Sequence, residues 1–411
     1  MDATDLCFTP AIDLAESGVP VSEITAAEWS SAERALRTEP EAARVFLPHG
    51  RVPRAGEIFT NPDLASTYRQ LAGGGGDAFY RGDIAEGLLD CSAARGGTFD
   101  ASDLREYDAE WVEPLRTSYR GWDVYELPPN GQGVAALMML NIIEQFPIGE
   151  LGHNSADALH ILIEAKKLAY ADLKRYVADP KGAAVPTAAM IDKAYGRARA
   201  ALIDPRRAHL DVAPGHLSEQ GGDTTYLSVV DRDGNLVSLI QSNFANFGSA
   251  IVPPGSGFVL QNRGGLFTLD ARHPNAVAPR KRPLHTIIPA FMTRGPAQIA
   301  FGIMGGWNQA QAHTQFVSNI VDHAMNIQAA LEAARFTKLT FDGPDVIVED
   351  RVPAPARDQL ETRGHQLDVH GAFSSMVGGG QSVMRDRSTG VNSGASDPRK
   401  DGAAIPEPSG H

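Results

Sequence analysis

Cysteine is scarce in this chain. The 411 residues include two cysteines, Cys7 and Cys91, which are far apart in the sequence. This spacing excludes a disulfide framework, a Cys-X-X-Cys motif and a Cys/His metal cluster. We expect both thiols to be inert or buried.

The chain also lacks an excess of basic residues and a long hydrophobic run. It has 37 Lys and Arg against 50 Asp and Glu, which gives a formal net charge of −13. This balance disfavours nucleic-acid phosphates and anionic membrane surfaces as partners. The longest apolar stretch, residues 134–143, is interrupted by Asn141 and is too short to span a bilayer. We therefore expect neither nucleic acid nor membrane as a partner.

The first ten residues, MDATDLCFTP, lack the basic and apolar regions of a secretory signal. The expected location is cytoplasmic, whereas a natural start upstream of Met1 leaves a periplasmic or secreted location open. Hydrophobic residues make up 43% of the chain and charged residues 21%, as in globular proteins. The length fits one large domain or two smaller domains.

The hydrophobic pattern predicts a protein of stacked helix and sheet layers. Helices are predicted where apolar residues recur at helical spacing, and strands where they alternate. The predicted helices include 63–71, 134–146, 155–176, 310–325 and 328–335, and the predicted strands include 119–127, 224–230, 236–240, 287–292, 298–303, 346–349 and 382–385. We expect residues 73–76, four glycines, to end the helix at 63–71. We expect His160 to be a surface or half-buried packing residue and not a ligand, because no second metal ligand is spaced with it.

The strongest local signal is a loop that leads directly into a hairpin. Residues 203–223 are polar and rich in turn formers, and a predicted strand begins at Thr224. A threonine at such a junction can attack the carbonyl of the preceding residue, Asp223, with its hydroxyl. Hydrolysis of the ester frees an α-amino group with a pKa of about 8, which can act as general base. Thr224 is therefore a candidate nucleophile, although threonine pairs are also common at ordinary strand starts.

A second signal is the glycine pair Gly305 and Gly306, in the stretch FGIMGGWNQAQAH before a predicted helix. Consecutive glycine N–H groups at a helix N-terminus can converge on a developing oxyanion. A simple turn is the alternative interpretation of the pair. The mechanism requires neither a metal nor a cofactor, because the protein supplies nucleophile, base and hydrogen-bond donors.

Four stretches resemble the γ-glutamyltransferase family of N-terminal-nucleophile hydrolases. They are GGDTTYLSVVDRDGNLVSLIQSNFANFGSAI, PRKRPLHTIIP, MGGWNQAQ and GASDPRKDG, and the resemblance covers nearly the whole chain in order. It implies an α/β fold, the four-layer αββα sandwich, built from both chains of a precursor cleaved between Asp223 and Thr224. It also implies that Thr224 is the nucleophile, that Ser242 supplies an accessory hydroxyl, and that Gly305 and Gly306 bind the oxyanion.

The resemblance further implies a large chain of residues 1–223 and a small chain of residues 224–411, which form one composite domain. The two fragments are expected to remain together as a heterodimer, with a small-molecule amide as substrate. The implied reaction is hydrolysis or transfer of γ-glutamyl amides such as glutathione, or of related acyl amides, through an acyl-threonine intermediate. A cephalosporin (glutaryl) acylase-like hydrolase and a catalytically silent, truncated homologue are the alternatives.

Two sites depart from family members that bind a γ-glutamyl α-amino group. Where these members carry Gln and Asp, this chain has Arg263 and Leu266, and where they carry a serine pair, it has His285 and Thr286. A cation in a desolvated pocket disfavours an α-ammonium group, and the stretches NRGG and PLHTIIP are similar to the acylase branch. Arg263, His285 and Thr286 are therefore candidate substrate-binding residues. A structural ion pair for Arg263 and a packing role for His285 are the alternatives.

The segment AIDLAESGVPVSEI resembles a helix that family precursors reach after a longer N-terminal segment. That segment contains sheet strands and the arginine that clamps the α-carboxylate. Two interpretations are open: the sequence is truncated at its start, or the protein has lost part of a layer.

Overall fold

The computed structural model describes residues 3–212 and 223–407, which belong to two compact units. One unit comprises Met1–Trp111 and Ala245–Asn262, and the other comprises Val112–Phe244 and Arg263–His411. The predicted loop at 203–223 falls largely on residues 213–222, which lie outside the described residues. The division into chains of residues 1–223 and 224–411 concerns cleavage and stays a prediction.

The first unit is mainly helical and has its own aromatic core. Its helices are α1 (Ala3–Ser17), α2 (Glu23–Thr38), α3 (Pro40–Phe46), α4 (Pro62–Tyr80), α5 (Asp83–Ala94) and α6 (Ala101–Arg105), and its strands β1 (Val19–Pro20) and β2 (Ile58–Phe59) pair antiparallel. Trp29 is the centre of the core, and its ring packs against Phe46, Phe59 and Phe247. The edge-to-face pairs of Trp29 with Phe46 and Phe59 add to the stabilisation from burial.

The helix that begins at Pro62 ends within residues 73–76, as predicted. Gly75 has the non-helical values φ +59° and ψ −151°, so α4 consists of two helices separated by a kink, the second of which ends at Tyr80. Glycine adopts this left-handed conformation without a steric penalty, so the chain leaves the helix for one residue and then resumes it.

The second unit contains the layered part of the molecule. Its helices are α7 (Gly133–Ile143), α8 (Ile148–Leu151), α9 (Ala156–Tyr176), α10 (Thr187–Met190), α11 (Lys193–Ala200), α12 (Asn308–Val321), α13 (Ile327–Glu332) and α14 (Ala354–Thr362). Its strands are β3 (Leu115–Tyr119), β4 (Trp122–Glu126), β5 (Asp223–Val230), β6 (Leu236–Phe244), β7 (Ala290–Arg294), β8 (Ala297–Ile303), β9 (Phe336–Thr337), β10 (Asp345–Glu349), β11 (Gln366–His370), β12 (Gly380–Asp386) and β13 (Asn392–Ser396).

A six-stranded antiparallel sheet in the order β13-β12-β8-β7-β4-β3 organises this unit. Helices α7 and α12 pack on this sheet, α9 packs on α7, and the apolar residues between them form one continuous core. The β5–β6 hairpin packs against β8 and β12. Strands β9, β10 and β11 form a separate small sheet. The described residues thus contribute a helical layer and two sheet layers.

Helices α7 and α9 confirm two of the predicted helices. All residues of α7 are buried, as its sequence, apolar except for Asn141, requires. Helix α9 begins after Ser155, whose side chain accepts a hydrogen bond from the N–H of Ala158, so the polar residue before the apolar pattern is an N-cap. The strand predicted at 119–127 was wrong in extent, because β3 ends at Tyr119 and a turn with positive φ at Arg120 precedes β4.

The β5–β6 hairpin has two unlike faces. On the inner face, the ring of Tyr226 occupies the space beside Gly302 of β8 that a Cβ would need. On the outer face, the cross-strand pairs Leu227–Leu239 and Val229–Val237 are exposed by 43% to 49% in the described residues. Packing of side chains against the rest of the unit therefore stabilises this hairpin mainly on its inner face.

The stretch GASDPRKDG contributes Asp397 and Arg399 to a buried ion network. Arg399 forms salt bridges with Glu349 and Asp397, and Arg335 pairs with Asp397. Paired and hydrogen-bonded charges tolerate such burial, whereas removal of one partner would leave a buried charge uncompensated. Among the helices of the described residues, none combines the length and hydropathy that a membrane span needs.

Candidate active site

Thr224 lies at the start of β5, in an irregular part of the hairpin. Asp223 faces Phe244 and Thr225 faces Gln241, so the single residue Thr224 lies opposite Ser242 and its neighbour. This is a β-bulge, a feature that re-aims a side chain within an antiparallel pair. Thr224 is buried and shares the inner face with Tyr226, whereas Thr225 is exposed. The nucleophile predicted from the sequence thus points to the inside of the unit.

Ser242, Arg263 and Thr286 are joined by hydrogen bonds. The Ser242 hydroxyl accepts from the N–H of Phe244 at 2.8 Å, and the Ser242 carbonyl accepts from Arg263 Nη2 at 3.5 Å. Arg263 Nη1 donates to Thr286 Oγ1 at 3.3 Å. The guanidinium also lies over the ring of Phe244, at 5.6 Å from its centre. Three residues predicted separately for the site are therefore neighbours, and one of them, Ser242, lies opposite Thr224.

Arg263 and His285 are a cation and a base held in a water-poor environment. Arg263 is 8% exposed, and desolvation lowers the pKa of its guanidinium to about 10. Desolvation also lowers the pKa of His285 to about 4, with smaller contributions from Arg263 and Arg282. His285 is therefore neutral at pH 7. Its ring packs at the turn before α7, 3.0 Å from the position of a Cβ at Gly131.

The predicted oxyanion donors lie in a tight turn between β8 and α12, which we call the glycine turn (residues 304–307). Gly305 has φ +122° and Gly306 has φ +60°, values that favour glycine. Each carbonyl of the turn accepts a hydrogen bond, from groups that include the backbone of α12 and the side chains of Asn308, Gln132 and Gln311. In the part of the chain that is described, no acceptor takes the N–H of Gly305 or Gly306.

Gln132 connects the glycine turn to the candidate substrate-binding residues. Its Nε2 donates to the carbonyl of Thr286 at 2.6 Å and to that of Gly306 at 2.8 Å, and the whole side chain is buried. Its Oε1 lies 3.0 Å from the hydroxyl of Tyr170. The chain of contacts therefore runs from the strand partner of Thr224 through Arg263 and Thr286 to Gly306.

A buried acid–histidine pair supports the end of β8. His313 Nε2 accepts from the N–H of Ile303, so its Nδ1 carries the proton that is shared with Glu126 Oε1 at 2.8 Å. Both side chains are buried, and desolvation raises the pKa of Glu126 above its usual value while His313 opposes the rise. This pair fixes the backbone directly before the glycine turn.

Residues 3–212 and 223–407 contain one group of potential metal ligands, distinct from the residues described above. His160, Glu164 and His365 have ligand atoms within 4.8 Å of one another. The sequence did not reveal His365 as a neighbour of His160, because the two lie 205 positions apart. Their ring nitrogens bond to each other at 2.8 Å, and Glu164 pairs with Lys167 at 2.7 Å. Sequence spacing did not show these two possible ligands beside His160, which is buried and not at the surface or half-buried as expected. The packing role of His160 stays a prediction.

Gln132, Tyr170 and Asn308 are the site residues that sequence reasoning missed. Gln132 stands between two glycines after a strand, and Asn308 is the second residue after the glycine pair, following Trp307. Polar amides at the apolar starts of two helices were the available signal, since such groups need partners when buried.

Comparison with known proteins assigns the chain to a family. A profile described as gamma-glutamyltranspeptidase matches residues 4–407. The glutathione hydrolase-like YwrD proenzyme of Bacillus subtilis (strain 168) is 34% identical over 400 residues, which cover 96% of this chain and 75% of that protein. The acylase ACY 1 proenzyme of Pseudomonas sp. (strain SE83) is 34% identical over 401 residues, with 96% and 70% covered.

A solved structure agrees with this assignment. The cephalosporin acylase from Bacillus halodurans superimposes with a TM-score of 0.89 at 39% identity, over 98% of this chain and 74% of that one. The fold expected from the resemblance, that of an N-terminal-nucleophile hydrolase, is therefore confirmed. The chain belongs to the gamma-glutamyltranspeptidase family and is an enzyme of that family.

Proposed function

We propose that the protein is a self-processing amide hydrolase whose nucleophile is Thr224, and that it prefers acyl groups ending in a carboxylate, such as a glutaryl group. The precursor is cleaved between Asp223 and Thr224, and the fragments remain together as a heterodimer. The observation that carries the substrate preference is Arg263, a buried guanidinium bonded to Thr286 and to the strand partner of Thr224.

The proposed reaction uses one residue as nucleophile and base. Thr224 Oγ1 forms a bond to the acyl carbon of the amide, the carbonyl electron pair moves to its oxygen, and the hydroxyl proton passes to the α-amino group of Thr224. The C–N bond then breaks, and the departing amine takes that proton. Water resolves the acyl-threonine ester by the same steps. Ser242 acts as an accessory hydroxyl beside the nucleophile.

The glycine turn supplies the electrostatic part of the mechanism. The N–H groups of Gly305 and Gly306 are assigned as donors to the oxyanion, and their availability among the described residues supports this assignment. Donors held in place before the reaction need no reorganisation when charge develops. No metal or cofactor takes part in these steps.

Arg263 favours a carboxylate at the acyl end because a guanidinium forms strong charge-assisted hydrogen bonds with a carboxylate. Its environment is desolvated, which lowers the pKa of the guanidinium to about 10 and strengthens such an interaction. An α-ammonium group there would meet a cation and, at Leu266, an apolar side chain that is 4% exposed. His285 and Thr286 line the same region, with His285 neutral at pH 7.

Hydrolysis of γ-glutamyl amides is the second candidate function. The glutathione hydrolase proenzyme of Escherichia coli (strain K12) is 32% identical over 407 residues, covering 95% of this chain. The activity in that protein's name is the reason to compare the γ-glutamyl and glutaryl groups directly.

The experiment compares kcat/KM for glutaryl and γ-glutamyl anilides in wild-type protein and in Arg263→Gln. One charged hydrogen-bonded pair contributes about 1.5 to 3 kcal/mol, so we expect the wild type to favour the glutaryl compound by about ten- to a hundredfold. Arg263→Gln should lose that preference. As a matched control, Arg282→Gln removes an equal charge from an exposed position and should keep it.

Wild-type protein that favours the γ-glutamyl anilide by tenfold or more would reject the carboxylate preference and support the second candidate function. Wild-type protein that hydrolyses neither anilide and remains one uncut chain would support a catalytically silent homologue.

A further inference from the structure

We propose that Asn308, the first residue of α12, is the positioning residue that aims both oxyanion donors. This inference rests on the proposed role of Gly305 and Gly306 and adds the residue that sets their direction. Asn308 is completely buried, and nothing in its chemistry makes it a nucleophile or a base. It would act through the two peptide groups of the glycine turn.

The argument depends on the geometry of trans peptide groups, in which C=O and N–H point in opposite directions. Asn308 holds two consecutive carbonyls: its Nδ2 donates to Met304 O at 3.1 Å, and its backbone N–H donates to Gly305 O at 3.0 Å. Neither peptide bond is cis. Because both carbonyls point towards one residue, the N–H groups of Gly305 and Gly306 point away from it, on the same side of the turn.

The Asn308 side chain is itself fixed from a second direction. Its Nδ2 also donates to Val377 O at 2.9 Å, in the segment just before β12. Gly378 has φ +74°, and a Cβ there would lie 2.6 Å from Asn308 Nδ2 and would also collide with Met304 O. The N–H of Met304 donates to Gly379 O at 3.0 Å. The glycine turn is thus held by hydrogen bonds to α12 and to residues 377–379, and Asn308 takes part in both sets of contacts.

Gln315 provides the matched control on the same helix. It is 5% exposed, its Nε2 donates to Phe336 O at 3.1 Å, and its Oε1 accepts from Phe336 N at 3.2 Å. A buried amide at this position bonds to backbone as Asn308 does, but it does not contact the glycine turn. If the role of Asn308 is purely structural, substitutions of Asn308 and Gln315 should change melting temperature and kcat in the same way.

The experiment uses the isosteric pair Asn308→Asp and Gln315→Glu in the full chain. Each substitution replaces donor N–H groups with a carboxylate oxygen, so the cost in folding is comparable. The measurements are melting temperature, kcat, KM and the Kd of an alkyl boronic acid, whose adduct with a hydroxyl nucleophile is a tetrahedral anion. A product carboxylate, which is not tetrahedral, serves as the ground-state ligand.

We expect Asn308→Asp to lower kcat by about 10²- to 10³-fold, the effect of losing one oxyanion donor, with KM changed by less than about threefold. The affinity for the boronic acid should fall by a similar factor, while binding of the product carboxylate is kept. Gln315→Glu should lower the melting temperature by a similar amount and keep kcat within about threefold. Asn308→Ser, which retains one side-chain donor, should give an intermediate kcat.

The inference is overturned if Asn308→Asp keeps the wild-type kcat, or if Gln315→Glu loses as much kcat for the same loss of melting temperature. An Asn308→Asp chain that folds but stays uncut supports the inference, since self-cleavage forms the same oxyanion; Asn308→Ser then measures turnover. Wild-type protein whose small chain does not begin at Thr224, or that does not bind the boronic acid, overturns the proposed function and this inference together.

Discussion

The hairpin that carries Thr224 and the glycine turn are built in opposite ways. The β5–β6 hairpin has an exposed apolar outer face and a bulge at Thr224. The glycine turn has every carbonyl bonded and is held by completely buried amides from two helix starts. In the proposed mechanism, the turn supplies preorganised donors, whereas the hairpin also accommodates the loop proposed to be cut. The difference teaches that the glycine turn is the more constrained of the two regions.

The largest expected effect comes from disturbing the rigid side. Gly305→Ala places a Cβ 3.1 Å from the Asn308 Cβ, at a φ of +122° that alanine resists. We expect kcat to fall by about 10²- to 10³-fold, as for loss of an oxyanion donor. The control is Gly295→Ala in the β7–β8 turn, where φ is +55° and the space is open. It should cost stability by roughly 1 kcal/mol and leave kcat unchanged; equal kcat losses would contradict the comparison.

Acid should destabilise the region around His365, which bonds to His160 of α9, before it affects the hairpin. Strands β5 and β6 contain no histidine. Desolvation, with Lys167 and His160 beside it, lowers the pKa of His365 to about 3. The unfolded chain binds this proton near pH 6.5 and the folded chain does not. The folded state is therefore favoured most above about pH 6.5, where His365 is neutral in both states. Its free energy of unfolding decreases as pH falls towards 3, by about 1.4 kcal/mol per pH unit for this one proton.

Urea unfolding between pH 7 and pH 4 measures this effect. His365→Gln should reduce the slope of unfolding free energy against pH by about one proton. His370→Gln, at a partly exposed position beside Asp368, is the control. An unchanged slope in His365→Gln would show that His365 is not the responsible group.

The smallest expected effect is on the outer face of the hairpin. Leu239→Thr changes a side chain that is 48% exposed, so the free energy of unfolding should change by less than about 0.5 kcal/mol. Tyr226→Phe on the inner face removes a 2.7 Å hydrogen bond to Ser238 and should cost about 1 kcal/mol. If the outer substitution costs more than the inner one, the outer face is covered in the protein and the comparison between the two regions fails.

The parts of the site that were predictable from the sequence are those with a local signal. The loop-to-strand change identified Thr224, and the glycine pair before a helix identified Gly305 and Gly306 as candidates. The structure places them at a bulge and in a turn with positive φ, although their catalytic roles stay predictions. The long helix at 155–176 was recognisable because its apolar period and N-cap are also local.

The residues that hold the site together were not predictable, because their partners are distant in the sequence. Gln132 bonds to carbonyls 154 and 174 positions away, and Asn308 bonds to Val377, 69 positions away. Periodicity does not report such contacts. Strand β13 was missed for a different reason: its sequence, NSGAS, has no apolar alternation, and it forms only because β12 supplies a partner.

Intact-mass analysis of the purified protein, with N-terminal sequencing of the smaller chain, tests the central claim most directly. The account predicts that wild-type protein consists of residues 1–223 and 224–411, that the smaller chain begins at Thr224, and that Thr224→Ala remains one chain because no hydroxyl attacks the Asp223 carbonyl. A single uncut wild-type chain, or a smaller chain that begins at another residue, would contradict the assignment of Thr224 as the nucleophile.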